Sequence, residues 1–236
     1  LLKINKTKKI NEAKKIKKKI KKKIKKRIKK RIKKRIKKIK IDKINILFYK
    51  KYNILYIYSM GAGILPIALY KGAIYLLLGQ ERTNLWSDFG GSPSKTSYEK
   101  PFNTAIREGY EELNGFLGNE KELALLVKSN FLLKIPHDTY TTYIFNINYS
   151  KDLPKYFNNL NSFIEINAED KIMKNNNGLF EKKKIMWLKL KEYKKDKSIL
   201  EFRSWYKPIL DDIENNEKFI IKKSINKRKI TTQKVK

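Results

Sequence analysis

The sequence predicts an α/β domain in which strands and helices alternate along the chain. Three observations support this prediction: paired β-rich runs at 64–70 and 73–78, a helical pattern from 101 to 113, and a further β-rich run at 140–147. With 236 residues, 41% of them hydrophobic, the chain can bury one good core but is short for two full domains. We therefore expect one α/β domain with extensions at its ends.

The N-terminal segment, residues 1–45, differs from the rest of the chain in its charge. It contains 25 Lys and Arg residues against Glu12 and Asp42, so it carries +23 of the formal +34. Isoleucines recur at every fourth position from Ile16 to Ile36. On a helix of about 3.6 residues per turn, this spacing winds the apolar stripe around the axis. Because like charges four residues apart also repel, we expect a low-complexity basic arm that is disordered or a frayed helix.

Three interpretations of this basic arm are open. In the first, its positive charge binds RNA, DNA or an anionic membrane. In the second, it is a solvated extension without a dedicated partner. In the third, translation begins at Met60, directly before the first convincing strand, and the arm is never made. Peptides from upstream of Met60 in a mass spectrum of the natural protein would exclude the third interpretation.

The first elements of the domain have clear local signals. Two β-rich runs, Ile64–Tyr70 and Ala73–Leu78, are joined by Lys71-Gly72, which predicts a hairpin. A helix is predicted from about Pro101 to Leu113, where apolar residues recur at helical spacing. Proline suits the first turn of a helix, because its missing N–H would have no partner there.

The later elements are predicted from the same periodicities. Tyr140–Ile147 alternates like a half-buried strand, and Lys184–Leu190 predicts another strand. Leu200–Ile213 is predicted to be helical, with a bend or break near Pro208. From Lys218 the chain is basic again, and we expect it to be disordered.

These observations divide the chain into three parts. We predict a Lys/Ile-rich basic extension at 1–45, an α/β domain at 46–214, and a basic C-terminal tail at 215–236.

Composition excludes several kinds of protein and site. The absence of cysteine excludes disulfides and thiolate metal sites, and the single His137 excludes a multi-histidine zinc site. No segment approaches the roughly 20 apolar residues of a membrane helix. The basic N-terminus also leads into no clean apolar run of the kind a secretory signal needs. We expect an intracellular, cytoplasmic protein without a membrane span.

The predicted helix carries a cluster of acids. Glu108, Glu111 and Glu112 share one face, because residues three and four apart are neighbours on a helix. Arg107 can pair with Glu111 or with Glu99. Crowded carboxylates repel unless cations neutralise them, and oxygen-rich clusters suit Mg²⁺ or Mn²⁺. For this cluster alone, an ordinary solvent-facing helix is the simpler interpretation.

The surroundings of the cluster resemble the signature of the Nudix hydrolases. That signature is Gly, five residues, Glu, seven residues, then Arg-Glu-apolar-x-Glu-Glu-x-Gly-apolar. The matching residues here are Gly91, Glu99 and Arg107-Glu108-Gly109-Tyr110-Glu111-Glu112-Leu113-Asn114. Three features depart from the pattern: seven residues separate Gly91 from Glu99, Gly109 replaces an apolar residue, and Asn114 replaces glycine.

The resemblance implies the Nudix α/β/α sandwich, with a mixed β-sheet between helices. The signature is called the Nudix box, and the helix that carries it, the box helix, would lie at the active site. It also implies a metal site for Mg²⁺ or Mn²⁺. Glu111 and Glu112 would bind the ion, Glu108 would be a further ligand, and Gly91 would contribute its backbone carbonyl.

The resemblance likewise implies catalytic roles. Glu108 would be the base that activates water, Arg107 would orient the carboxylates, and Glu99 would support that array. A base outside the box is an alternative in this family, and the acidic candidates are Glu165, Glu169 and Glu181. His137 and Asp138, in a loop before a strand, are candidates for lining the pocket.

The implied function is Mg²⁺-dependent hydrolysis of a phosphoanhydride bond in a nucleoside diphosphate-linked substrate. The basic arm and tail favour a long polyanion, which makes capped mRNA a hypothesis and RNA a candidate partner. The segment Trp86-Ser-Asp-Phe-Gly-Gly91 also resembles Nudix proteins of large DNA viruses, some of which decap mRNA. The alternatives are a housekeeping pyrophosphatase for small nucleotides or nucleotide sugars, and an inactive Nudix-like RNA-binding module.

Overall fold

The computed structural model describes residues 61–94, 99–168 and 178–233, with side chains as far as Lys227. The basic arm, the predicted domain start at residue 46 and Glu169 lie outside these residues.

Within the described ranges the chain forms one mixed sheet and helices on both of its faces. The strands are β1 (Gly61–Tyr70), β2 (Ala73–Glu81), β3 (Trp86–Ser87), β4 (Phe89–Gly91), β5 (Phe131–His137), β6 (Tyr140–Asn146) and β7 (Lys182–Lys189). The helices are α1 (Pro101–Glu112), α2 (Glu120–Asn130), α3 (Asp152–Asn167), α4 (Leu190–Lys195), α5 (Lys207–Asn215) and α6 (Glu217–Gln233), with a 3₁₀ turn at Ser204–Tyr206.

The hairpin at the centre of the sheet opens toward one end. Near the turn, β1 pairs with β2 through Ile67–Tyr70. At its other end β1 pairs instead with β4 through Ala62–Ile64, and β2 pairs with β3 through Gly79 and Gln80. β1 also pairs in parallel with β6, whereas the other strand pairs are antiparallel. The short strands β3 and β4 therefore lie where the hairpin separates.

The sheet is covered on both faces, so its central strand is buried along nearly its whole length. Ile64 packs with residues of α1, α2 and α3, including Ala105 and Leu123. The next residue, Leu65, belongs to a second cluster with Leu210 and other residues of α5 and α6. The predicted α/β fold with a mixed sheet between helices is confirmed.

The local signals at the hairpin and the first helix are also confirmed. Lys71 and Gly72 both have positive φ, of 47° and 74°, as the tight hairpin turn that suits the twist of β-strands requires. Pro101 occupies the first turn of α1.

Two predictions for the C-terminal part need correction, the first only in where the helix begins. The helix predicted from Leu200 begins only at Lys207, and Pro208 lies in its first turn, where a missing N–H needs no partner. The tail predicted to be disordered from Lys218 is helical to Gln233. Its Ile220 is fully buried in the hydrophobic cluster that contains Leu65 and Leu210. This burial favours an ordered helix over a disordered tail.

The sequence analysis missed β5, α2 and α3. Pro136 argues against a strand at Phe131–His137, but β5 is at the edge of the sheet, where a strand tolerates proline. None of the helices in the described ranges is long and apolar enough to cross a membrane.

Candidate active site

An ion pair between Glu99 and Arg107 stabilises the acidic face of α1, the acidic helix. Arg107 donates from Nε to Glu99 Oε1 at 3.1 Å and from Nη2 to Glu99 Oε2 at 3.0 Å. The second oxygen also accepts from the Ser94 N–H and the Thr104 hydroxyl. Burial alone would raise the pKa of Glu99, but the hydrogen bonds from Arg107 and Ser94 lower it overall. Glu99 is therefore held as a carboxylate that fixes the guanidinium.

The same guanidinium reaches the other acids of the helix face. Arg107 Nη1 lies 2.9 Å from Glu108 Oε1 and 3.1 Å from Glu111 Oε2. Burial raises the pKa of both Glu108 and Glu111 despite this cation, and the negative charge of Glu181 adds to the rise. The face thus holds more carboxylate charge than Arg107 neutralises.

Glu112 is the buried acid of the box. Its Oε2 accepts from the Gly90 N–H at 2.7 Å, and its Oε1 lies 3.3 Å from the ammonium of Lys182, a lysine at the start of β7 that is itself buried. Lys182 also pairs with Glu81 at 3.4 Å. Burial raises the pKa of Glu112 to about 8, with Lys182 and Gly90 opposing the rise. Glu112 therefore joins the helix to both β4 and β7.

Gly91 lies directly against Glu108, although its loop is two residues longer than the Nudix pattern. A Cβ on Gly91 would stand 2.5 Å from Glu108 Oε2, so no other residue fits without moving the carboxylate. The pairing of β4 with β1 fixes Gly91 independently of the loop that follows it. The extra residues thus fall between Gly91 and Glu99 without displacing the glycine from the acids.

Asn114 connects the helix to the segment that carries Glu181. It has a φ of 51°, its Nδ2 donates to Asn161 Oδ1 at 2.9 Å, and its Oδ1 accepts from the Phe180 N–H at 2.8 Å. Asn161 in turn donates to the carbonyl of Lys182 at 2.7 Å. The asparagine that replaces the glycine of the Nudix pattern therefore accepts the left-handed conformation and also holds the approach to β7.

Some of these groups, Glu108 and Glu112 among them, line a cavity of about 630 Å³, whereas Glu111 does not. It is lined by Glu81, Arg82, Thr83, Gly90, Gly91, Ser92, Glu108, Glu112, Leu179, Phe180, Glu181 and Arg203. The cavity combines carboxylates from α1 and β2 with two arginines and a glycine-rich strand. Such a wall can hold cations and, through them, phosphate groups.

The donor chemistry fits a divalent cation, but the acids are held apart in this arrangement. Among the described residues, no three acidic or histidine side chains converge on a common point, since Arg107 holds Glu108 and Glu111 while Lys182 holds Glu112. Carboxylate oxygens are the ligands that Mg²⁺ and Mn²⁺ prefer. A bound ion would relieve the excess negative charge, and it would compete with both basic side chains for these oxygens.

Comparison of the sequence with family models and with curated proteins gives no match. Solved structures do resemble this one. A C. elegans Ap4A hydrolase in a binary complex shares 16% identity over 66% of this chain and 96% of that chain, with a TM-score of 0.39. The NUDIX domain of Shewanella oneidensis NrtR, complexed with ADP ribose, shares 10% identity over 67% of this chain and 87% of that chain, with a TM-score of 0.37. NrtR complexed with a 27mer DNA has a TM-score of 0.34, with 12% identity over 64% of this chain and 58% of that chain.

The structure brings the candidate site residues named from the sequence together around the acidic helix. Of the candidates outside the box, Glu181 lines the cavity, while Glu165 pairs at 3.9 Å with the exposed Arg82. His137 and Asp138 line a second cavity that adjoins the first.

Sequence reasoning missed Lys182, Glu81, Arg203 and Asp88. Lys182 stands in a run of three lysines, where nothing in the sequence marks one of them as buried. Glu81 and Arg203 are 122 positions apart, yet they form an ion pair of 2.5 Å. For Asp88 the sequence does offer a signal. This aspartate lies between Trp86-Ser87 and Phe89, in a stretch otherwise suited to a buried strand.

Proposed function

We propose that this chain is a divalent-metal-dependent pyrophosphohydrolase of the Nudix type. It cleaves a phosphoanhydride bond in a substrate linked through a nucleoside diphosphate. The observation that supports the proposal is the shared cavity, into which Glu108, Glu112 and Glu181 face beside Gly90-Gly91. Carboxylate charge in excess of the local cations favours binding of divalent cations, and such cations provide the positive charge that hydrolysis of a polyphosphate needs.

Glu108, Glu111 and Glu112, with the carbonyl of Gly91, would hold Mg²⁺ or Mn²⁺. When bound, the ion supplies positive charge that neutralises the phosphate oxygens and the charge developing at the bond that breaks. Arg107, braced by Glu99, fixes the orientation of the carboxylates.

The chemical step is the attack of water on one phosphorus atom. A carboxylate accepts the proton of the water, a new P–O bond forms, and the anhydride P–O bond breaks to release the second phosphate group. Glu108 is the first candidate for this base, because it lies beside Gly91 inside the cavity and burial raises its pKa. Glu181 is the candidate base from outside the box.

Capped RNA is the substrate that the charge of the whole chain favours. A formal charge of +34 attracts a long polyanion much more strongly than a free nucleotide. The two alternatives, turnover of small nucleotides or nucleotide sugars and RNA binding without turnover, are outcomes of the same experiment.

The experiment compares cap-labelled RNA with free nucleotides and nucleotide sugars, each with Mg²⁺. Glu108→Gln should reduce turnover by roughly 10²- to 10⁴-fold, as expected for the loss of a general base or metal ligand. Glu181→Gln should reduce turnover only if Glu181 is the base. Glu192→Gln is the matched control, because Glu192 is exposed on α4, does not line this cavity and should leave turnover unchanged. Equal activity of Glu108→Gln and the parent on every substrate would refute the site.

The metal requirement has a readout that does not depend on turnover. Because an ion that binds only the folded state stabilises it, Mg²⁺ should raise the thermal midpoint of the parent protein. The increase should be smaller in Glu108→Gln and unchanged in Glu192→Gln. A midpoint that does not respond to Mg²⁺ or Mn²⁺ in the parent would contradict the proposed ion site.

A further inference from the structure

A second cavity adjoins the acidic one. It has a volume of about 400 Å³, and its walls include Tyr140, Arg203 and Trp205. Gly90, Gly91, Ser92 and Arg203 line both cavities. A ligand that places phosphate groups in the acidic cavity can therefore extend directly into the second one.

One wall of this cavity is held rigidly by a buried aspartate. Asp88 Oδ1 accepts from the Tyr140 hydroxyl at 3.0 Å, and Asp88 Oδ2 accepts from the Thr142 hydroxyl at 2.7 Å. Gly63 and Gly90 leave the space that the Tyr140 hydroxyl fills, since a Cβ on either glycine would overlap it. The tyrosine ring is thus positioned by Gly63 of β1, by Gly90 of β4 and by Asp88, which lies between β3 and β4.

Trp205 adds an aromatic ring to the wall of this cavity, and Arg203 adds a positive charge. The Trp205 ring, half-buried, packs on Tyr140 with 4.6 Å between ring centroids. The guanidinium carbon of Arg203 lies 5.8 Å from the Trp205 centroid, while the same group is anchored to Glu81. Arg203 therefore stands between the acids of the first cavity and the indole of the second.

We infer that this second cavity binds the planar base of a nucleotide whose phosphate groups lie in the acidic cavity. The inference rests on the proposed function and extends it to the substrate. A half-buried indole and a guanidinium plane offer flat surfaces for stacking, and stacking favours a base over a sugar or polyol of similar size. Arg203, at the junction, is placed to pair with a phosphate oxygen. Trp205 is the residue that determines this specificity.

The test uses two ligands that differ only by the base. Nucleoside monophosphates such as AMP and GMP contain no phosphoanhydride bond, so the full chain cannot hydrolyse them by the proposed chemistry, and ribose 5-phosphate lacks the base. Equilibrium binding with Mg²⁺ should show that the parent prefers AMP or GMP. Trp205→Leu should weaken nucleotide binding roughly 5- to 100-fold, the range for the loss of one base–aromatic stack, and ribose 5-phosphate binding less than about twofold. Trp205→Phe should retain most of the preference.

Trp187→Leu is the matched control, because this half-buried tryptophan packs against Tyr149 and lines neither cavity. It should change neither affinity. Trp205 also packs on the buried Tyr206, so its replacement can disturb the core as well as the cavity. A second measurement therefore keeps Trp205. In a Trp187→Phe background, Trp205 and the buried Trp86 remain, and AMP or GMP should quench the Trp205 part of the fluorescence whereas ribose 5-phosphate should not.

A parent protein that binds ribose 5-phosphate as tightly as both nucleotides would overturn the inference. Equal weakening of both ligand classes by Trp205→Leu, or an absence of quenching, would do the same. Failure of the proposed function has a different signature: no diphosphate-linked substrate is hydrolysed, although the preference for nucleotides over ribose 5-phosphate persists.

Discussion

Arg107 shows how one side chain organises the candidate site at the scale of residues. Its guanidinium contacts the carboxylates of Glu99, Glu108 and Glu111 and the carbonyl of Ser92. The hydrogen bond to Glu99 is the main cause that raises the pKa of Arg107 above its usual value. A permanent cation in this position keeps crowded acids together in the folded protein, and a bound ion would take over part of that role.

Asn114 gives a first prediction at this scale. Asn114→Gly restores the Nudix pattern and suits a φ of 51°, yet it removes the hydrogen bonds to Asn161 and Phe180. We expect a net loss of about 1 kcal/mol in the free energy of unfolding, together with lower turnover because the approach to Glu181 loosens. Denaturant unfolding and activity assays measure the two effects.

Asn84→Gly is the control for this prediction. Asn84 also has a positive φ, of 66°, but it lies exposed in a turn. Its replacement should leave stability unchanged or slightly increased, since glycine adopts this conformation freely. If both variants behaved alike, the Asn114 side chain would have no special role.

Asp88 gives a prediction about pH. Burial raises its pKa from 3.8 to about 6, against the hydrogen bonds from Thr142 and Tyr140. The folded state therefore binds a proton more tightly than the unfolded state does, so this contribution is fully present below about pH 4 and is lost as pH rises through 6. Relative to Asp88→Asn, the parent should lose roughly 2 kcal/mol of unfolding free energy between pH 4 and pH 7, since one pKa unit corresponds to about 1.4 kcal/mol. Denaturant unfolding at pH 4 and pH 7 measures it, and a difference of the opposite sign would contradict the assignment.

At the scale of elements, the opened hairpin positions the site. β1 and β2 stay paired near Lys71-Gly72 and separate beyond Ile67 and Leu76, so that each can pair with a short strand instead. This separation brings Gly90 and Gly91 to the acidic face of α1. Local propensity predicts the two long strands, but two- and three-residue strands have no periodicity of their own and depend on their partners.

The C-terminal helix α6 provides a prediction at this scale. Ile220 is fully buried and Ile225 is 40% exposed on the same helix. Ile220→Ala should reduce the free energy of unfolding by roughly 2–5 kcal/mol, because it removes buried methylene groups and leaves a cavity. Ile225→Ala, its matched control, should cost much less. Equal effects would mean that α6 does not pack as described.

At the scale of the whole molecule, most of the positive charge belongs to one segment of the sequence. The segment up to Asn45 carries +23, while the acidic cavity gathers carboxylates within a chain of net charge +34. The basic arm lies outside the described residues, and its role as an RNA binder stays a prediction.

Deletion of the residues before Met60 tests that role. Because binding by lysine and arginine releases counterions, the shortened chain should bind RNA more weakly and with a smaller salt dependence. Turnover of small nucleotides should stay nearly unchanged. Binding assays at several salt concentrations give the slope, and an identical slope in both proteins would exclude the arm as an RNA binder.

The sequence by itself determined the α/β class, the central hairpin, the box helix and the acids that the helix presents. These features are local: a two-residue turn, a period of 3.6 and the spacing of glutamates all fall within short stretches of chain. The prediction that Gly91 belongs with Glu108 came from the resemblance, and the two are adjacent in the structure in spite of the longer loop.

Only the tertiary structure decided which charged residues are buried and which partners they have. Lys182 reaches Glu112 from β7, Arg203 reaches Glu81 across 122 positions, and Asp88 holds Tyr140 from 52 positions away. The same holds for α6. Its basic composition predicted disorder, but Ile220 is buried in the core and the segment is helical. The physical reason is common to these cases: the energy of burying a charge or an apolar side chain depends on what lies opposite, and that is set by the packing of distant segments.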